Sequence, residues 1–173
     1  ADYLKTREGW GYELINGAVR DMSPAPYTNH QRIGLNLGII LKQFAEEKSP
    51  GEVFIAPVDI YFDDENCVQP DILFISKERA HIITEKNIQG APDLIAEIIS
   101  PSTVHYDTVE KKNLYEKSGV KEYWIFFPEE ERAVIFSLKN GTYHLQGTYT
   151  KADVLHSPTF SALKIELTKI FTH

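Results

Sequence analysis

Two acidic residues in hydrophobic segments, followed along the chain by a lysine, are the residues best suited to chemistry. Asp71 follows Gln69-Pro70 at the start of an apolar stretch, and Glu97 lies inside the apolar run Leu94–Ser100. Lys111 comes later, in a segment with helical periodicity. Burying a charge is costly unless the charge is paired. Protein stability alone therefore does not require this pattern, which indicates a functional site.

The two acids can meet if their segments are neighbouring strands. Alternate side chains of a strand share one face, so Asp71 and Glu97 would then converge on one point. Two adjacent carboxylates repel each other, and both stay ionised only when a cation is present. A small number of hard oxygen ligands suits Mg²⁺ or Mn²⁺, with waters completing the coordination. The sequence thus predicts a metal site at Asp71 and Glu97.

Lys111 is expected to face the same site. Residues 102–118 read as a helix, and at 100° per residue Asp107, Lys111 and Tyr115 fall on the face that carries its apolar anchors. An ammonium there could orient an attacking water or neutralise a pentavalent phosphorus intermediate. The alternative is a simple i,i+4 ion pair between Asp107 and Lys111, worth about 0.2–0.5 kcal/mol. In the functional interpretation, Asp107 orients Lys111 and is not a metal ligand.

The remaining periodicities predict the elements that position these residues. A helix is expected over 28–48, with His30 on its apolar face, and a second helix over 102–118. Asn16-Gly17 and Asn140-Gly141 predict hairpin turns near the two ends of the chain. Strands are expected over 53–62, 68–75, 93–100 and 121–127. The order helix, three strands, helix, strand predicts an α/β fold with a mixed sheet in a single domain. Its parts are a leading hairpin (1–27), a catalytic core (28–127), and a trailing hairpin and tail (128–173).

Composition bounds the class of protein. The chain has 173 residues and a formal charge of −7, which argues against strong non-specific DNA binding. It does not exclude an acidic cleft that binds phosphate through metal ions. The single cysteine, Cys67, excludes an internal disulfide and fits a reducing cytoplasm. No segment has the features of a signal peptide or a membrane span, so a cytoplasmic protein without a membrane partner is expected.

Short motifs spread over nearly the whole chain, each weak alone, are jointly specific. They are Tyr12–Gly17, His30, Gln69–Asp71, Glu97–Thr103, Asp107, Lys111, Tyr115, Gly119-Val120 and Glu122–Trp124. In this order they resemble the large family described as "putative restriction endonuclease", a domain of unknown function within the PD-(D/E)XK nuclease superfamily. The resemblance implies a restriction-endonuclease-like core, and that superfamily core has the same order of elements as the one predicted above.

The resemblance also implies roles for particular residues. Asp71 and Glu97 would bind the metal, with the carbonyl of Ile98 as a further ligand. Glu13 and His30 match family positions near the cleft, where they would assist as an acid ligand and a proton-handling group. The superfamily places its lysine two residues after the acid, where this chain has Ile99. The family pattern instead has the lysine on the following helix, at Lys111.

These inferences lead to the hypothesis of a Mg²⁺- or Mn²⁺-dependent endonuclease that hydrolyses DNA. A homodimer is expected, because cutting both strands needs two sites and the terminal hairpins offer edges for pairing. One alternative is a catalytically weak or inactive nuclease-like module for binding or regulation. Another is a metal-dependent phosphohydrolase that acts on a small phosphoester.

Each site residue also has a purely structural interpretation. Asp71 could break or cap a strand, and Glu97 could pair with a buried arginine. His30 could be a hydrogen-bonded core histidine. Glu13 carries the same ambiguity, and Tyr115 is interpreted as core.

Overall fold

The computed structural model describes residues 11–21 and 27–172. Within these ranges there are two α-helices, α1 (Thr28–Glu47) and α2 (Lys112–Ser118), and a π-helical segment, Tyr106–Lys111, that leads into α2. Short 3₁₀ turns lie at Lys77–Ile82 and Leu167–Lys169. The strands are β1 (Tyr12–Ile15), β2 (Ala18–Asp21), β3 (Gly51–Ile55), β4 (Ile60–Asp63), β5 (Asn66–Val68), β6 (Ile72–Ser76), β7 (Ile88–Gln89), β8 (Leu94–Ile98), β9 (Glu122–Phe127), β10 (Arg132–Lys139), β11 (Thr142–Thr150), β12 (Val154–His156) and β13 (Lys164–Glu166).

The largest sheet in the described ranges has the strand order β11-β10-β9-β8-β6-β3. Strand β8 pairs antiparallel with β6 on one side and parallel with β9 on the other. All five residues of β8 are buried, which agrees with the β-branched, apolar run expected at a sheet centre. The mixed sheet of an α/β fold is confirmed. In it, β6, which begins directly after Asp71, is the neighbour of β8, which contains Glu97.

Helix α1 covers one face of this sheet. Its buried residues Ile33, Leu37, Leu41 and Phe44 recur at three- and four-residue intervals and pack against β6, β8 and β9. Burial of each such side chain stabilises the fold by roughly 1.5–3 kcal/mol. The predicted helix is confirmed, and its first turn contains His30.

The segments predicted as strands over 53–62 and 68–75 are each divided in two. The first becomes β3 and β4, and the second becomes β5 and β6, with the two halves of each in different sheets. The prediction of two continuous strands was therefore wrong. Pro57 and Pro70 lie at the breaks, and proline has no amide hydrogen to donate to a ladder.

A second sheet with the order β2-β1-β5-β4-β7 receives these diverted strands. The predicted leading hairpin is confirmed over β1 and β2, with positive φ at Asn16 and Gly17 in its turn. Residue Leu14 pairs with Cys67, which joins the hairpin to β5. The part of the predicted leading segment in 1–10 and 22–26 lies outside the described residues. The hairpin thus belongs to a sheet of the protein body, and it carries Glu13.

The predicted helix over 102–118 is confirmed in outline but not in regularity. Residues 104–105 are helical, the π-helical segment follows, and α2 ends at Gly119 with φ of 85°. Asp107, Lys111 and Tyr115 are buried as expected, whereas Val104, near the start of the helical segment, is 42% exposed. No helix in the described ranges is both long enough and apolar enough to cross a membrane.

Replacing Gly51 with alanine is expected to destabilise the protein by about 1–3 kcal/mol, because the new methyl group cannot be accommodated. A Cβ there would lie 2.5 Å from the main-chain oxygen of Ile75 and 2.7 Å from the ring of Phe74. Urea unfolding measures the change. Gly38→Ala is the matched control, since its Cβ would meet Ile55 at an ordinary 3.4 Å within a helix. Equal stability of the two variants would contradict the proposed close packing at β3.

Candidate active site

Asp71 and Glu97 lie opposite each other at the point where β6 and β8 begin to separate. Ile72, the first residue of β6, pairs with Ala96 of β8, so Asp71 just before β6 faces Glu97 of β8. The amide nitrogen of Asp71 lies 3.4 Å from Oε2 of Glu97. The predicted convergence of the two acids is therefore present in the structure.

The Asp71 carboxylate takes the place of a ladder acceptor. Its Oδ2 accepts a hydrogen bond of 2.7 Å from the amide of Ile98 and lies 3.1 Å from Nε2 of His30. Pro70 precedes Asp71 at the break between β5 and β6, where the chain turns from one sheet to the other. The aspartate thus satisfies the end of β8 and ties it to the first turn of α1. Asp71 therefore both ends the strand ladder and belongs to the cluster.

Glu97 is held by two donors on the following helical segment. Its Oε1 accepts a hydrogen bond of 2.9 Å from Nζ of Lys111 and one of 2.7 Å from the hydroxyl of Tyr115. The cationic partner of Glu97 is therefore Lys111, and the buried arginine required by the structural alternative is not the partner. Helical spacing of four residues places both donors over the same carboxylate.

Lys111 is surrounded by three carboxylates. In addition to Glu97, its Nζ lies 3.1 Å from Oε1 of Glu13 and 3.8 Å from Oδ1 of Asp107. Glu13 also accepts a 2.7 Å hydrogen bond from the amide of Gln69, so β1 and the β5–β6 connection meet at this acid. The relative exposure of Glu13, Glu97, Asp107 and Lys111 is 5% or less. The lysine is a shared, buried counter-ion for acids from three separate parts of the chain.

Burial and charge repulsion shift the ionisation of this cluster. Burial raises the pKa of Glu97 well above its usual range, the negative charges of Asp107, Asp71 and Glu13 raise it further, and Lys111 opposes them. Burial also raises the pKa of Asp107, to about 6. For Lys111, burial lowers the pKa, but the surrounding carboxylates outweigh it and hold the pKa well above the usual value. Lys111 is therefore a permanent cation at neutral pH.

His30 lies at the more open side of the cluster. Its side chain is 15% exposed and that of Asp71 is 22% exposed. Burial lowers the pKa of His30, but the hydrogen bond and negative charge of Asp71 outweigh it and give a net increase. Nδ1 of His30 is buried and has no hydrogen-bond partner in the described ranges. The ring thus has one nitrogen fixed on Asp71 and one uncommitted nitrogen.

The cluster contains more carboxyl groups than cationic groups. Four carboxylates, those of Glu13, Asp71, Glu97 and Asp107, surround one ammonium and one imidazole. No set of three or more His, Cys, Asp or Glu side chains among the described residues is arranged to hold a metal ion. Two carboxylates with a main-chain carbonyl and waters nevertheless suffice for a small, hard cation, which keeps much of its hydration shell. The donor chemistry at Asp71 and Glu97 fits such a cation.

Sequence reasoning found the acids and the lysine but missed two of their partners. Tyr115 was assigned to the core, and it is fully buried, yet its hydroxyl contacts the acid of β8. The available signal was its position four residues after Lys111. The contact between Glu13 and the Gln69 amide has no counterpart in the sequence, because it depends on the path of the chain between the two sheets.

The sequence of the chain matches a known protein family. The profile of the family Uma2, described as "Putative restriction endonuclease", matches residues 1–168. The chain belongs to this family. The expected resemblance is thereby confirmed over nearly its whole length, and family membership supports a nuclease function.

A solved structure shows the same fold. The chain is similar to a crystal structure described as a putative nuclease belonging to DUF820 from Anabaena variabilis, with a TM-score of 0.74 and 19% sequence identity. The match covers 92% of this chain and 89% of the other. Comparison with curated proteins gives no match. The restriction-endonuclease-like fold class predicted for this Uma2 family member is confirmed.

Lys111→Met is expected to lower the free energy of unfolding by about 3–5 kcal/mol, because buried carboxylates would lose their shared cation. Urea unfolding at neutral pH measures this loss. Lys42→Met is the control, since Lys42 is 57% exposed and pairs with Glu46 at the surface. Such a pair contributes about 0.3–0.5 kcal/mol. A Lys111 variant no less stable than the Lys42 variant would contradict the buried ion cluster.

Asp107 is expected to make folding more favourable as the pH falls. Its pKa is about 6 in the folded protein and ordinarily 3.8, so the native state binds its proton more tightly. Its contribution to stability therefore increases from about pH 6 down to about pH 4, by an amount on the order of 2 kcal/mol. Urea unfolding of the wild type and Asp107→Asn should show a stability difference that shifts in favour of the wild type over this range. A difference that is constant with pH would contradict the raised pKa.

Proposed function

We propose that the protein is a divalent-metal-dependent endonuclease that hydrolyses phosphodiester bonds in DNA. One observation carries the proposal: Asp71 and Glu97 meet across β6 and β8, and the ammonium of Lys111 reaches Glu97 at 2.9 Å. Phosphoryl transfer depends on groups that stabilise charge and on groups that position the reactants. The two acids and the lysine provide both. The family description and the fold support the same reaction class.

The metal would be Mg²⁺ or Mn²⁺, held by the carboxylates of Asp71 and Glu97 and the carbonyl of Ile98. These are oxygen ligands, which both ions prefer. The surplus of carboxylates over cations in the cluster also favours binding of a further positive charge. When bound, the ion would supply Lewis acidity that stabilises negative charge on the phosphoryl oxygens.

Lys111 acts as an electrostatic group in this proposal. Its raised pKa keeps it protonated, so it stabilises developing negative charge and orients water; it is not a general base. Glu13 and Asp107 fix the position of its ammonium through their contacts of 3.1 and 3.8 Å. The amine that the superfamily has two residues after its acid is thus supplied from the helix.

His30 holds a proton beside Asp71. With Nε2 bound to Oδ2 of Asp71, the ring restrains that carboxylate, and its raised pKa increases the fraction of the imidazolium form. In its imidazolium form the ring could supply a proton to the oxygen that leaves phosphorus, once Nε2 is released from Asp71. His30 therefore acts as an assisting proton-handling group, with Asp71 as its partner.

DNA is the proposed substrate, and a homodimer is the proposed assembly. The family description supports DNA as substrate, since restriction endonucleases act on DNA. The net charge of −7 opposes binding through long-range attraction, so binding would depend on the metal and on local contacts. Two sites in one assembly would allow both strands to be cut.

A second candidate is a nuclease-like binding or regulatory module without strong activity. The lack of a three-ligand cluster in the described ranges, together with the neutralisation of Glu97 by Lys111, favours this alternative. Titration calorimetry with Mn²⁺ separates the two. An active nuclease requires Mn²⁺ binding that is lost in Glu97→Gln, whereas a purely structural cluster gives no heat of binding in either protein.

Asp71→Asn and Glu97→Gln are each expected to reduce DNA cleavage by more than about 100-fold, because each removes a charged ligand that acts in the transition state. The assay follows linear, supercoiled and single-stranded DNA with Mg²⁺ or Mn²⁺. Asp64→Asn is the control, since Asp64 is an exposed acid in the turn between β4 and β5. Undiminished cleavage by both site variants would rule out this site. Turnover of small phosphoesters without cleavage of DNA would favour the small-substrate phosphohydrolase.

A further inference from the structure

Tyr115 is a buried residue whose hydroxyl is directed at an acid of the site. Its relative exposure is 0%, and the hydroxyl lies 2.7 Å from Oε1 of Glu97. The ring is packed against Phe62 and Tyr123, with centroid distances of 5.9 and 5.0 Å. These contacts leave the ring little freedom, so the hydroxyl is a fixed donor in the α2 wall of the site.

The other buried tyrosines in this part of the core use their hydroxyls differently. Tyr123 donates to the main-chain carbonyl of Asp107, and Tyr143 donates to that of Val120, both at 2.9 Å. These bonds satisfy neutral main-chain groups, which is the usual function of a buried phenol. Tyr115 differs because its acceptor is the carboxylate proposed to bind the metal.

The two oxygens of Glu97 have unequal surroundings. Oε1 accepts hydrogen bonds from both Lys111 and Tyr115, whereas Oε2 faces the amide of Asp71 at a long 3.4 Å. The ammonium of Lys111 also contacts Glu13 and Asp107, so it is not held on Glu97 alone. Tyr115 is the donor that fixes Oε1 from a rigid ring.

We propose that Tyr115 is a positioning residue that holds Oε1 of Glu97, so that Oε2 is presented toward Asp71 for the metal. The inference rests on the proposed function and adds a residue to it. A hydrogen bond to a ligating carboxylate restricts its rotation before the ion arrives, which lowers the entropy lost on binding. Such outer partners typically change metal affinity by about 10–100-fold.

Tyr115→Phe tests the proposal, because it removes the hydroxyl and keeps the ring. Titration calorimetry should show Mn²⁺ binding weakened roughly tenfold relative to the wild type. Tyr143→Phe is the matched control: it removes a buried hydroxyl of the same kind whose acceptor is a main-chain carbonyl. This control should bind Mn²⁺ like the wild type, after urea unfolding has established that both variants are folded.

Cleavage gives a second reading that a loss of packing would not reproduce. With Tyr115→Phe, the Mn²⁺ concentration that gives half-maximal cleavage should increase roughly tenfold, and kcat at saturating Mn²⁺ should approach that of the wild type. Equal Mn²⁺ affinities for Tyr115→Phe, Tyr143→Phe and the wild type would overturn the inference and leave the proposed function intact. If the wild type binds no Mn²⁺, the proposed function and this inference both fail.

The wild-type protein provides a test that does not depend on folding of a variant. Buried hydroxyl protons exchange slowly and can be observed by NMR with tyrosine labelled at the ζ carbon. Addition of Mg²⁺ should shift the Tyr115 hydroxyl resonance and leave that of Tyr143 unchanged. Equal responses of the two hydroxyls would overturn the positioning function.

Discussion

Burial of several carboxylates around one ammonium is the constraint on which the rest of this structure depends. Glu13, Glu97 and Asp107 come from β1, β8 and the π-helical segment, and each contacts Lys111 within 4 Å. Charges removed from water are tolerated only when they are paired and hydrogen-bonded. The lysine therefore joins the three parts of the chain, and their relative positions are fixed by the ion cluster as well as by apolar packing.

The two sheets have distinct functions around this cluster. The large sheet supplies Glu97 from its strand β8, with α1 packed on one face. The smaller sheet carries Glu13 and is connected to the large one through the short path from β5 to β6. Pro70 and Asp71 occupy that path, so the turn between the sheets is itself part of the site. Asp71, a proposed metal ligand, therefore lies where the chain crosses from one sheet to the other.

Local patterns predicted much of the fold and of the site, and the failures have physical causes. Helical spacing located α1 and placed Asp107, Lys111 and Tyr115 on one buried face. Alternation in strands placed Asp71 opposite Glu97. The continuous strands over 53–62 and 68–75 were wrong, because prolines break the ladders and divert the chain to a second sheet. The contact of Glu13 with Lys111 is a long-range consequence of that diversion. The hydrogen bond of Tyr115 could not be predicted either, because the sequence does not show which carboxylate lies next to α2.

Lys111 reaches Glu97 from the helical segment that follows β8, and this has a consequence for β8. In a chain with the lysine two residues after the acid, position 99 would have to be polar; here it is Ile99, a buried member of the core. The chain keeps an apolar side chain at position 99. The distance between Glu97 and the amine of Lys111 is set instead by how the π-helical segment and α2 pack against the sheet. Substitutions in that interface can therefore change the distance between Glu97 and Lys111 without altering either residue.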